Sequence, residues 1–350
     1  MKTNKNSKNS KNSKPQNKTK IKKIKKKNKR FSIKTIVVFL AFELLFTAFT
    51  FPFILLYGPF ETAKSTYVGA AMTSASHQFL AKWFLSDEKI AKIQGQNTVE
   101  VTSETTDTSQ IDIPKIKDDT IEINQLDGNS KYSGYWMLIK DPTRVKIGYT
   151  SKLKVEGETT SQIAEKNGAI AAINGGGFVD QSSSAEWTGN GGLPTGVIIS
   201  GGEIKHDDLG GGKTTSLGIT KNGTMLVGNF SVAELKEKGV QEAVSFYPAL
   251  IINGKMTQIS GDGGFGIAPK TAIGQRKDGA IIFLVIDGRE LGSLGATVKE
   301  VQEIMFKLGC LNAMNLDGGK STTMYYDGEI INKPSNSMGE RTIATAIIVK

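Results

Sequence analysis

The chain has one cysteine, Cys310, and two histidines, His77 and His206, in 350 residues. A lone cysteine excludes an intramolecular disulfide, so stability must come from buried apolar surface. Cys310 ends a predicted helix and reads as a small buried hydrophobe rather than a nucleophile. With so few histidines there is no His cluster for a metal, and a Ser-His-Asp triad would have to use His206, which sits in a Gly- and Asp-rich turn over 205–212. His77 reads as a packing or surface residue. Acidic residues are absent from positions 1–34, which hold 15 of the 44 Lys and Arg. The rest of the chain carries 29 basic against 34 acidic residues, so the net charge of +10 belongs to the tail. Tail lysines alternate with Asn and Ser and run directly into an apolar segment. That order fits a topogenic signal and argues against nucleic acid as a partner.

From Ile36 to Tyr57 the only interruptions of an apolar run are Glu43, two Thr and Pro52. At about 1.5 Å per residue this stretch spans roughly 33 Å, the thickness of a bilayer core. Lysines precede it and none follows until Lys64, which places the tail in the cytoplasm and the remainder outside. A cleaved signal peptide is the alternative, with small residues at Gly69-Ala70-Ala71, but the run is longer than an ordinary signal core. The expected organisation is a basic tail (1–34), a transmembrane helix (35–58), a helical juxtamembrane stalk (59–94), a flexible linker rich in Thr, Ser, Asp and Gln (95–119) and a folded domain (120–350). The expected location is the cytoplasmic membrane, single-pass, with the domain extracytoplasmic.

Within the domain, short apolar runs alternate with glycine-rich turns. Strands are expected at 134–139, 169–173, 196–199, 216–219, 224–227, 280–286, 323–326 and 343–349, with hairpin signals at Asn222-Gly223 and Asp327-Gly328. Helices are expected over 161–166 and over 297–308, the second stopped by Gly309. The fold class is therefore α+β, a strand-rich mixed domain with few helices and no regular βαβ rhythm.

Three glycine-rich clusters carry the candidate chemistry. Asn174-Gly175-Gly176-Gly177-Phe178 ends an apolar run, where glycines let backbone N–H groups approach an anion. Asp287-Gly288-Arg289 follows the strongest strand and offers a hydroxyl acceptor and a phosphate ligand, or a turn with a surface ion pair. Asp317-Gly318-Gly319-Lys320-Ser321-Thr322 is like the end of a Walker A loop, but Met314 stands where its first glycine is required and a strand follows where a helix is needed. Glu340-Arg341 precedes the last strand and points at the same rim. Asp317, Asp287, Asp262 and loop carbonyls offer oxygens to a hard divalent cation such as calcium, without EF-hand spacing; turn-forming aspartates are the alternative.

Taken in order, Asn174-Gly175-Gly176 with Phe178, Pro194-Thr195-Gly196, Pro269 to Gly274, Asp287-Gly288-Arg289, Asn315 to Met324, Asn332 with Pro334-Ser335, and Glu340-Arg341 resemble the phosphodiester glycosidase family over roughly 165–350. Gly177, Lys270 and Lys320 depart from its usual pattern. The resemblance implies hydrolysis of a sugar-1-phosphodiester at the anomeric C–O bond in a surface or environmental glycan. On that footing Arg289 and Arg341, with Lys320, hold phosphate, with Arg276 a weaker candidate; Asp317 or Glu340 acts as base or nucleophile; and Asn174 and Asp287 hold the sugar. Gly175, Gly176, Phe178, Thr195, Gly318, Gly319 and Ser321 line the substrate. Two other readings use the same residues: a non-catalytic module binding anionic wall polymers, and a phosphosugar transferase at the outer membrane face.

Overall fold

A computed structural model describes residues 32–350 apart from 73–76, 97–98, 101–102, 116, 127–130, 181–188 and 291. Most of the basic tail therefore lies outside the described residues. The chain divides into two compact units, residues 1–51 and 52–350. The described part of the first is the body of helix α1 (Ile33–Tyr57), which is long and apolar enough to cross a membrane.

The second unit begins with the end of α1 and three short helices, α2 (Glu61–Met72), α3 (Phe79–Lys82) and α4 (Asp87–Gln94). Leu56, Val68, Ala71, Ala81, Leu85 and Ile90 close a small core among them. The stretch read as a solvated linker is not free along its length. The Thr106 hydroxyl donates to Asn312 Oδ1 and to the Val227 carbonyl, and Ile111 is buried.

Three antiparallel sheets follow. The largest has seven strands, in spatial order Ile121–Gln125, Gly134–Ile139, Ile281–Ile286, Lys270–Arg276, Cys310–Asn315, Ala249–Ile252 and Lys255–Met256. A second joins Glu329–Ile330, Met324–Tyr326, Ala171–Asn174, Thr345–Val349 and Val145–Tyr149; a third joins Glu203–Asp207, Val197–Ser200, Val240–Ser245, Thr214–Thr220 and Met225–Phe230.

Ile281–Ile286 explains how the layers meet. All six of its residues are buried, because successive side chains of a strand point to opposite faces and both faces are covered. Ile281, Phe283 and Val285 enter a central core with Met137, Ile173, Leu217, Val244 and Ile347, drawn from all three sheets. Ile282, Leu284 and Ile286 enter a second core under Val298, Val301 and Met305. Those three belong to the helix Val298–Lys307, whose Thr297/Glu300 capping box satisfies its first N–H groups and whose exit is turned by Gly309 at φ +81°. The helix expected over 161–166 is present as Thr160–Lys166, also with a capping box. Cys310 opens a strand rather than ending a helix; it is buried, and burial pushes its thiol up to about 12, which leaves it inert. His206 lies in the strand Glu203–Asp207, not in a turn, with its ring buried and Nε2 3.6 Å from Asp208.

Candidate functional site

The three sheets leave a cavity of about 330 Å³ at the ends of several strands. It is lined by the Asp317 loop, by Arg289, Lys270 and Arg341, by Phe178 and Thr195, and by an aromatic shelf of Phe246, Tyr247 and Phe265.

Asp317 follows the strand Cys310–Asn315, so the sheet aims it at the cavity rim. Its Oδ1 accepts from the Gly318 N–H at 2.9 Å, while Oδ2 is enclosed and, like the neighbouring Ser321 hydroxyl, lies beyond hydrogen-bond distance of any partner among the described residues. Burial pushes this carboxyl up to about 6, opposed by the neighbouring Ser321 hydroxyl and the Arg341 charge. A carboxylate that is enclosed and half satisfied carries free energy that a ligand or a proton can release.

The cations around it fall into two groups. Arg341 is already engaged: its guanidinium forms a bidentate pair with Asp180, donates to the Gly189 carbonyl and lies over the Phe178 ring, 5.0 Å from the centroid. The side chains of Arg289 and Lys320 have no ion pair or hydrogen-bond acceptor among the described residues. Arg289 sits at φ +63°, a conformation disfavoured for a side chain this long, and its guanidinium lies over Gly319. Burial lowers its pKa, though a guanidinium remains charged. Lys270, only 4% exposed, reaches two carbonyls, Phe265 and Gly266, at 3.4 and 3.3 Å. Burial, with the nearby Arg289 charge, lowers its ammonium to about 7.

Several residues named from the sequence stand elsewhere. Glu340 does not line the cavity; its carboxylate accepts from the Ser161 N–H and hydroxyl in the first turn of Thr160–Lys166. Asp287 is buried behind the cavity, accepting from Asn332 Nδ2 and the Lys333 N–H, both at 3.0 Å. It fixes the loop that presents Arg289. Arg276 pairs with Asp278 at 3.0 Å and also lies away from the cavity.

Asn174 is wholly buried and spent: Nδ2 donates to the Asp317 carbonyl, and Oδ1 accepts from the Thr271 hydroxyl and the Thr323 N–H. The glycine N–H groups beside it are likewise taken, Gly175 by the Thr345 carbonyl, Gly176 by the Thr345 hydroxyl and Gly177 by the Ser245 carbonyl. They do not form an anion nest. The run of glycines answers to crowding, since a Cβ at Gly175 or Gly176 would come within 2.6 Å of Thr345 Oγ1 or the Ser245 carbonyl oxygen.

Sequence reasoning missed Asp180, the aromatic shelf and the role of Asn315. Asn315 lines the cavity; its Nδ2 donates to the Tyr247 carbonyl at 2.9 Å, and its Oδ1 is enclosed without a partner among the described residues. Phe265 packs 5.0 Å from Tyr247 and 6.3 Å from Phe246, and Tyr247 is 57% exposed. The signal available was Phe246-Tyr247 in a turn between two apolar runs. Among the described residues, no three His, Cys, Asp or Glu side chains gather as a metal site would require.

An enclosed carboxylate, unpaired cations and an aromatic shelf lining one cavity have the chemistry to hold an anion that carries an apolar ring face. The model of the phosphodiester glycosidase family matches residues 167–350, and the chain belongs to that family. It is 30% identical over 216 residues to an SPbeta prophage-derived uncharacterized protein YomE of Bacillus subtilis, covering 59% of this chain and 31% of that one. It is 28% identical over 195 residues to N-acetylglucosamine-1-phosphodiester alpha-N-acetylglucosaminidase of Bos taurus, covering 51% and 35%. The chain thus spans about a third of the length of these relatives. The solved catalytic domain of the zebrafish N-acetylglucosamine-1-phosphodiester alpha-N-acetylglucosaminidase superposes with a TM-score of 0.55 at 24% identity, covering 70% of this chain and 87% of that one, a likeness of fold.

Proposed function

We propose that this protein hydrolyses sugar-1-phosphodiesters, of the N-acetylglucosamine-1-phosphodiester type, at the anomeric C–O bond, from a position outside the cytoplasmic membrane to which α1 anchors it. The observation that carries the reading is Asp317 Oδ2, enclosed and without a partner among the described residues, in the same cavity as Arg289 and Lys320, whose side chains are likewise unpaired among those residues. Among the described cavity residues, the other carboxylate, Asp180, is neutralised by Arg341.

One free carboxylate suits this bond. The leaving group is a phosphate monoester, which departs without the strong protonation that an alcohol needs, so the second carboxyl group of ordinary glycosidases is dispensable. Arg289, Lys320 and Lys270 hold the phosphate and receive the charge that develops as C1–O breaks. Asp317 takes the proton from the water that attacks C1, a task for which a carboxyl held near 6 is well matched. Asn315 Oδ1 accepts from a sugar hydroxyl or amide, and the Phe246, Tyr247 and Phe265 shelf covers the apolar face of the ring. Asn174 and Asp287 position Asp317 and Arg289 from behind.

The test is incubation of the full chain in detergent with an N-acetylglucosamine-1-phosphodiester, following free sugar and phosphate monoester. Release that vanishes in Asp317→Asn supports the assignment. Binding without release would make the site a binding module, and transfer of the sugar only when another acceptor is supplied would make it a transferase.

A further inference from the structure

The cavity wall that carries Gly264 and Phe265 does not stand alone. Its carbonyls hold Lys270, and behind it runs α2. A Cβ on Gly69 would fall 2.5 Å from Asp262 Oδ2, and one on Gly266 would fall 2.6 Å from the Ala70 Cα. The Gly266 backbone meets the backbone of Gly69 and Ala70, and the Asp262 carboxylate closes on Gly69, with no room for a Cβ at either glycine. The small residues that resemble a cleavage site in the sequence are therefore a helix face packed on the cavity wall.

α2 is tied in turn to the end of α1. Leu56 shares the small core of α2, α3 and α4; the Tyr57 hydroxyl donates to the Phe84 carbonyl; and the Phe53 and Phe84 rings meet edge to face at 5.3 Å. Chain length then limits how far the wall can stand from α1. Four residues from Tyr57 to Glu61 reach at most about 14 Å, and eight helical steps to Gly69 add about 12 Å. A domain held only by an extended 95–119 segment could stand off by about 80 Å. The contact at Gly69 removes that freedom. The same bundle exposes Phe60, Phe79 and Trp83, the last 75% exposed with its ring tilted against that of Phe79 at 4.8 Å, residue types that settle at a membrane–water interface.

We propose that the phosphodiester substrate is membrane-borne: a sugar 1-phosphate esterified to a lipid and presented at the bilayer face where α1 holds the pocket. This rests on the hydrolase reading and on α1 as a membrane span. Water's oxygen bonds to C1, the C1–O electron pair leaves with the phosphate, and Asp317 takes the proton. The sugar is released and a phosphate monoester stays on the lipid.

The experiment uses the full chain in phosphatidylcholine vesicles with three substrates at equal bulk concentration. These are N-acetylglucosamine 1-phosphate esterified to a dialkylglycerol in the same vesicles, the same lipid in separate vesicles, and the water-soluble ethyl ester. The expected result is release from the same-vesicle lipid at least about ten times faster than from the ethyl ester, because confinement raises effective concentration toward the millimolar range, with little release from separate vesicles. Release from the ethyl ester that equals or exceeds release from the same-vesicle lipid overturns the proposal and leaves the hydrolase reading standing. Release from none of the three overturns both.

Discussion

The Asn174–Gly177 cluster and the Asp317 loop look alike in the sequence, each a polar residue with consecutive glycines after an apolar run, yet they end in opposite states. In the Asn174 cluster the amide and the glycine N–H groups are spent: the amide makes three hydrogen bonds and the glycine N–H groups are taken by Thr345 and Ser245. Around Asp317 the accounts stay open, with Oδ2 and Asn315 Oδ1 unpartnered and Arg289 and Lys320 unpaired in one cavity. A satisfied network rigidifies, whereas an unsatisfied one awaits a ligand. The first cluster is the frame and the second is the tool.

Substitutions can break this comparison, and the largest effect belongs to the open side. Asp317→Asn should lower turnover by about 10³-fold or more, the upper range for loss of a positioned acid or base. It should also stabilise the fold at pH 7. The Asp317 carboxyl is held near 6, above its ordinary value, so its ionised form is penalised in the fold. That penalty is absent at pH below about 4, grows through about pH 4–6 and is full above it. Thermal melts should therefore favour the Asn variant at pH 7 and show no advantage at pH 4; equal melting at pH 7 would contradict the strain at this site.

On the closed side, Asn174→Ala should cost about 2–4 kcal/mol of stability, from several hydrogen bonds and the acceptors and donors left buried. Denaturant midpoints would measure it, and KM of the folded fraction should move less than about threefold. A large KM change with normal stability would return Asn174 to the substrate site. Arg289→Ala should raise KM by about 10- to 100-fold through loss of charge-assisted bonds to phosphate, with melting unchanged.

The smallest effect is a displaced pH limb. Asp317 must be ionised and Lys270 protonated, which places the wild-type optimum between about 6 and 7. Lys270 faces Arg289, Asp262 and Glu300, and its ammonium is lowered mainly by burial. Lys270→Arg keeps the charge at higher pH, so the alkaline limb of kcat/KM should move up by about one unit or more. An unmoved limb would remove Lys270 from the reaction.

The reading of elements followed how local their causes were. The strand 134–139 and the helix Val298–Lys307 were legible because a short apolar run, a one-sided apolar face and the stop at Gly309 are written in adjacent residues. The strand Val240–Ser245 was not, because Gln241 and Glu242 break its apolar run. Glu242 is buried as the acceptor of the Ile147 and Gly201 N–H groups, contacts that exist only after sheets come together. Among the candidate site residues, Asp317 lies in the cavity, whereas Glu340 lies outside it, because adjacency to Arg341 says nothing about which way each side chain points.

By itself the sequence determined the long apolar helix, the strand-rich α+β class and the glycine-rich loops at strand ends, since these depend on period, length and backbone freedom over a few residues. Tertiary structure decided which polar groups are paired and which are left open. It also decided that Phe246, Tyr247 and Phe265 form one shelf, and that Gly69 and Ala70 of a distant helix brace the wall of the pocket. Those outcomes are settled by the desolvation and close packing of groups far apart in the chain, which no local pattern encodes.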